Sequence, residues 1–140
     1  MKKKISLLIA DDDTDDRELF IDAVRQVDED IECITAKDGF HALELLKASD
    51  ILPDYIFLDL RMPRFNGKKC LFELKQEERL KNIPVVIYTT SRDVQEAQEL
   101  KKMGALYFVS KPSNPEEIYY LVAFVLEEQW NLSKSKEQLD

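Results

Sequence analysis

Five short apolar runs constrain this chain more than any other feature. They lie at 5–10, 31–36, 55–58, 83–88 and 105–110, and each is followed by residues with helical spacing. The helical faces read Phe20, Ala23, Val24, Val27; then Ala42, Leu45, Leu46; then Cys70, Leu71, Leu74; then Val94, Ala97, Leu100; and last Ile118, Leu121, Val122, Val125. Apolar residues at i, i+3, i+4 and i+7 mark one face of a helix, and short continuous apolar runs mark buried strands. Strands alternating with helices through short turns predict an α/β fold, a doubly wound parallel sheet covered on both faces. The run 55–58 is unbroken, as for a strand buried on both sides. The run 31–36 is weaker and belongs nearer an edge.

Local punctuation agrees with this division. Asp13 or Thr14 suits the first helix as N-cap, with Asp15 and Asp16 favoured by the helix dipole. Gly39 marks a turn, Asn66-Gly67 another, and Gly104 a helix end. Asn114 with Pro115 opens the last helix, and Pro84 is tolerable only at the start of its strand.

The runs differ in what they carry at their ends. The first delivers Asp11 and Asp12, the third Asp59, the fourth Thr89 with Thr90 and Ser91, and the fifth Lys111. In an open α/β sheet the carboxyl ends of the strands are where ligands bind. A single Asp at a strand end reads most simply as a loop cap. Adjacent carboxylates such as Asp11 and Asp12, however, stay ionised only beside a compensating cation. Several carboxylates and a backbone carbonyl make a hard oxygen site suited to Mg²⁺, which also binds phosphate. A carboxylate can serve as nucleophile and become an aspartyl phosphate. A cation, an ammonium and a hydroxyl neutralise the oxygens in flight. Taken together, the set points to phosphoryl chemistry.

Composition narrows the partners. The chain has 140 residues, of which 20 are Lys or Arg and 28 Asp or Glu, a net charge of −8. So acidic a domain does not suit nucleic acid, whose binding relies on basic residues meeting phosphates. No apolar run approaches the ~18 residues of a membrane span. Met1-Lys2-Lys3-Lys4 with the run 5–10 lacks the h-region and cleavage site of a signal peptide. Cys33, Cys70 and His41 form no metal-ligand pattern. The thiols read as reduced core or boundary residues, His41 as a surface or boundary histidine, and the protein as cytoplasmic.

At these residues the chain resembles the receiver domain of two-component response regulators, over roughly residues 4–128. The resemblance rests on the acid pair after the first strand, Asp59-Leu60-Arg61-Met62-Pro63 with Asn66-Gly67 following, Thr89 after the fourth strand and Lys111-Pro112 after the fifth. It implies a flavodoxin-like (βα)5 fold with strand order 2-1-3-4-5. It implies that Asp59 is phosphorylated, that Asp12 binds Mg²⁺ directly and Asp11 mainly through water, and that the Arg61 carbonyl is a further ligand beside Asp59. Thr89 and Lys111 would hold phosphoryl oxygens, and Phe108 would be the switch aromatic that turns inward with Thr89. Many members have Tyr where Phe108 stands, so ring position alone would carry the signal. Thr90 is larger than the residue common there and is expected to narrow access to the acyl phosphate.

The expected partners are a sensor histidine kinase or histidine phosphotransfer protein, and a downstream protein reading the face of helix four, strand five and helix five. The expectation is a monomer or weak homodimer. Residues 1–130 read as the receiver, 131–140 as a frayed polar tail with Trp130 packing back, and no output domain is expected. The chain would be no enzyme beyond its own phosphorylation and dephosphorylation. Two other readings compete. Asp11-Asp12-Asp13 also fits the nucleophile motif of haloacid-dehalogenase-like phosphatases, which would need Glu116 and Glu117 as metal acids and leaves Asp59 unexplained. The other is a receiver-like binding module that works without phosphate. A flavodoxin electron carrier would share the fold but not the need for these acids and Lys111.

Overall fold

The computed structural model describes residues 4–63 and 65–139, with side chains described up to residue 127. Among these, five strands alternate with five helices: β1 (Ser6–Ala10), α1 (Thr14–Val27), β2 (Glu32–Ala36), α2 (Gly39–Ala48), β3 (Tyr55–Leu58), α3 (Gly67–Gln76), β4 (Val85–Thr89), α4 (Val94–Lys102), β5 (Tyr107–Ser110) and α5 (Glu116–Leu139). The strands are all parallel, as the alternating pattern predicts, in the order β2-β1-β3-β4-β5 that the family resemblance implies.

The period-2 geometry of the strands splits the core in two. Leu7 and Ile9 of β1, Tyr55 and Phe57 of β3, and Val86 and Tyr88 of β4 face α1 and α5. Their neighbours Leu8, Ala10, Ile56, Leu58, Val85 and Ile87 face the other way, toward α2, α3 and α4. Phe20 of α1 stacks on Phe57 at 4.8 Å and Tyr88 at 5.6 Å between ring centroids. β3 is buried at every residue, whereas the edge strand β5 is only half-buried throughout.

Most local expectations hold. Asp13 is the N-cap of α1 and accepts from the Asp16 N–H. Gly104 has φ of 109°, the left-handed conformation that ends α4 without a Cβ penalty. Cys70 is buried and Cys33 half-buried, both as free thiols. His41 is half-buried and accepts from the Lys37 N–H at 3.1 Å.

The departures are instructive. Gly39 opens α2 rather than closing the turn before it, because Asp38 caps the helix there. Leu43 joins Ala42 and Leu46 as a buried residue of α2, while Leu45 packs against the same core only partly buried. Residue 83 precedes β4, which instead continues through Thr89. In α4 the periodicity over-reads the buried face: Leu100 is buried, but Val94 is 69% exposed and borders an open cavity beside Phe108. Helix α5 runs Glu116–Leu139. The expectations for the Trp130 side chain and the tail 131–140 lie outside the residues whose side chains are described. No helix among the described residues is long and apolar enough to cross a membrane.

Candidate functional site

The parallel register brings the acids together. Ala10 pairs with Leu58, so the residues that follow them, Asp11 and Asp59, leave the sheet side by side. The ladder continues one step past the strands: the Asp59 N–H donates to the Ala10 carbonyl at 3.0 Å, and the Asp11 N–H to Ala36 at 3.1 Å. Both side chains are therefore fixed from below. Asp11 is 0% and Asp59 4% exposed, while Asp12 points to solvent. Carboxylate oxygens of Asp11, Asp12 and Asp59 lie within 4.8 Å of one another.

The loop after β3 is pressed against this cluster. A side chain at Gly67 would strike the Asp59 carbonyl oxygen and come within 2.8 Å of the Leu60 Cα, so the start of α3 can sit there only as glycine. Asn66 caps α3 by accepting from the Lys69 N–H at 2.9 Å, so Asn66-Gly67 is a helix start and not a free turn. The Arg61 N–H donates to the Asp59 Oδ1 at 3.3 Å, while its guanidinium turns outward.

Lys111 completes the cluster from the far side of the sheet. Its N–H donates to the Thr89 carbonyl, at 2.6 Å, which holds the chain as it leaves β5. Its ammonium donates to Asp11 at 2.6 Å, Asp16 at 2.8 Å and Asp59 at 3.2 Å. Burial raises the Asp11 carboxyl to about 6, against the opposing hydrogen bonds from Lys111 and the Asp13 N–H. Burial works to lower the Lys111 ammonium, but its hydrogen bonds to Asp11 and Asp16 and the charges of Asp11 and Asp59 outweigh it. The net direction is upward. The ammonium thus does here what a divalent cation would do, compensating crowded carboxylates.

Thr89 is fully buried at the end of β4, its hydroxyl oxygen accepting from the Ser91 N–H at 3.4 Å. Phe108 is half-buried against the α2/α3/α4 core and lines a cavity of about 490 Å³ with Arg92, Val94 and Ala97. Thr90, the residue after Thr89, is exposed.

The sequence-predicted residues Asp11, Asp12, Asp59 and Lys111 thus converge, Thr89 borders them, and Arg61 enters through its backbone. Asp16 is the residue that sequence reasoning misplaced. The helix dipole seemed to explain it, yet its carboxylate grips Lys111. Its signal was the fifth acid of the run 11–16, one helical turn beyond the pair and in excess of what capping needs. Glu116 and Glu117, which a phosphatase would need as metal acids, are exposed at the start of α5, and Asp13 is spent as a cap.

The donor set fits a hard divalent cation, being the three carboxylates of Asp11, Asp12 and Asp59 at one edge. The response regulator receiver domain family matches residues 7–123. Response regulator Rcp1 of Synechocystis sp. is 30% identical over 124 residues, covering 85% of this chain and 84% of Rcp1. The regulatory protein AtoC of Escherichia coli is 32% identical over 123 residues, and there the chain matches 88% of itself and only 25% of AtoC. In structure, the phosphorylated cyanobacterial phytochrome response regulator RcpA superposes with a TM-score of 0.82 at 26% identity, over 89% of this chain and 93% of RcpA. A Mn²⁺-bound form of Rcp1 gives 0.77 at 27% identity, over 86% and 91%. Sheet order, carboxylate cluster and relatives agree: the chain belongs to the response regulator receiver domain family and acts as a receiver in two-component signalling.

Proposed function

We propose that Asp59 is the phosphoacceptor of this receiver and that Mg²⁺ is its cofactor. The observation that carries the reading is the Lys111 ammonium, which touches Asp59 and Asp11 together at a buried sheet edge. In the reaction a carboxylate oxygen of Asp59 attacks the phosphorus of a phosphohistidine. The P–N bond breaks, and the imidazole of the donor leaves with the electron pair. Mg²⁺ would be held by Asp12, Asp59 and the Arg61 carbonyl, with Asp11 acting mainly through water, and would neutralise phosphoryl oxygens. Lys111 is tethered by Asp16 and Asp11, so its charge is already positioned when the phosphoryl group arrives. The Thr89 hydroxyl, whose oxygen accepts from the Ser91 N–H, would donate its proton to a phosphoryl oxygen as it moves toward the phosphate, and Phe108 would move into the space this frees.

The donor is a sensor histidine kinase or a histidine phosphotransfer protein. The output is a changed α4-β5-α5 face read by a separate protein, with the receiver a cytoplasmic monomer or weak homodimer. Acetyl phosphate labelling with Mg²⁺ tests the core of this reading. Asp59→Asn should abolish the label; a label that survives Asp59→Asn and disappears in Asp11→Asn would favour the phosphatase chemistry instead. A beryllofluoride titration that gives no response would favour a phosphate-independent module. Thr90→Ala should shorten the lifetime of the labelled protein, since it opens the entrance.

A further inference from the structure

Arg61 lies two residues beyond Asp59, yet its guanidinium faces the first turn of α4. Its Nη2 is 4.0 Å from the Oε1 of Glu96. That oxygen is shut off from solvent and has no hydrogen-bond partner among the described residues. A buried carboxylate oxygen without a donor is costly, and 4.0 Å is too long for a hydrogen bond. Glu96 is thus compensated by one incompletely closed ion pair. One turn on, Lys68 of α3 pairs with Glu99 of α4 across the same groove, a space of about 390 Å³ floored by Leu60, Met62 and Leu100. The α4 side of the groove is anionic and the β3–α3 side cationic. Leu100 is the buried residue of α4, and these two pairs tie the helix's exposed face to the β3–α3 side.

An acyl phosphate on Asp59 carries more negative charge than the carboxylate it replaces, and it would form within two residues of Arg61. Resting on the phosphoacceptor reading above, we propose that the Arg61 guanidinium is contested between Glu96 and the phosphoryl group on Asp59. Its transfer from one anion to the other couples phosphorylation to the first turn of α4. Arg61 is a positioning residue in this scheme. When it leaves, Glu96 keeps one carboxylate oxygen shut off from solvent with no cation near it, and the turn that carries this half-exposed side chain moves outward to bring that oxygen to water. Coupling of this kind is reciprocal: weakening the hold of Glu96 must strengthen binding at the phosphoryl site.

The test is a double-mutant cycle on Arg61→Ala and Glu96→Gln with two readouts. One is the affinity for beryllofluoride in Mg²⁺, an equilibrium mimic of phosphorylation; the other is hydrogen exchange of amides 94–102, with sheet amides as control for folding. Glu96→Gln should tighten beryllofluoride binding by up to about fivefold, the range of an ion pair near the surface. The gain should disappear when Arg61→Ala is also present, and Arg61→Lys should retain part of it. Exchange in α4 should rise on beryllofluoride binding in the parent, and be already raised in unliganded Arg61→Ala, where Glu96 has lost its cation. An equal effect of Glu96→Gln with and without Arg61 overturns the proposal, as does a full α4 response in Arg61→Ala. Failure of acetyl phosphate to label Asp59 removes the phosphoacceptor reading and this coupling together. A labelled protein with an additive cycle removes the coupling alone.

Discussion

Helices α1 and α4 both begin just after a site-bearing loop, and both are capped by an aspartate, Asp13 and Asp93. They are built for opposite purposes. α1 buries Phe20, Ala23 and Val24 in the cluster shared with α5, and its first turn holds Asp16 against Lys111. α4 buries Leu100, leaves Val94 in the open, and is tied at its front by exposed or half-exposed ion pairs. On the proposed reading the first helix would fix the chemistry, and the fourth would be left free enough to report it. Regions that move are drawn from the least buried parts of a fold.

The most forceful way to break this comparison is to remove one anchor from each helix. Phe20→Ala should cost about 4 kcal/mol and lower the denaturation midpoint of the whole domain. Leu100→Ala should act chiefly on α4, with hydrogen exchange accelerated at 94–102 and α1 amides little changed. If both substitutions unfold the domain alike, the division of roles is wrong.

Lys111→Met is expected to come next. It leaves Asp11, Asp16 and Asp59 facing one another without a cation, at a cost of about 2–3 kcal/mol near neutral pH. Added Mg²⁺ should restore part of the loss in a urea titration, because it supplies charge to the same oxygens.

The pH dependence of the metal-free protein should follow Asp11, whose value rises from 3.8 to about 6 on folding. The folded chain then holds this proton more tightly than the unfolded chain. The group's contribution therefore grows as pH falls from above 6 toward 4, by about 1–2 kcal/mol, and is lost as pH rises again. Asp11→Asn should flatten that part of the stability profile. An unchanged profile would mean that Asp11 is not the group responsible.

The smallest expected effect is that of the caps. Asp93 accepts from the Gln95 and Glu96 N–H groups, and Asp13 from that of Asp16. Loss of either cap should cost about 1 kcal/mol. For Asp93→Ala this should appear as local opening of α4 in hydrogen exchange. For Asp13→Ala it should appear as weaker Lys111 positioning, read as slower labelling by acetyl phosphate.

Much of this was legible in the chain itself. Continuous apolar runs and helical spacing predict the alternating elements because burial depends on local pattern. Asp11, Asp12, Asp59, Thr89 and Lys111 stood out because each ends a strand, and parallel strands present their ends on one edge. The misreadings share a cause. Val94 matches the apolar spacing of α4, but spacing cannot tell whether anything lies opposite that face. Asp16 had a sufficient local explanation in the helix dipole, which hid its contact with a lysine 95 positions away. Gly67 looked like a turn residue because the closeness of the Asp59 carbonyl is not a local property.

Local chemistry thus determined the elements, their order in kind, and the set of reactive groups. Only the tertiary structure decided which carboxylates share Lys111, that Arg61 turns to Glu96, and that α4 is the lightly held helix. Those outcomes depend on distances between residues far apart in sequence, set by sheet register and by which faces find a partner.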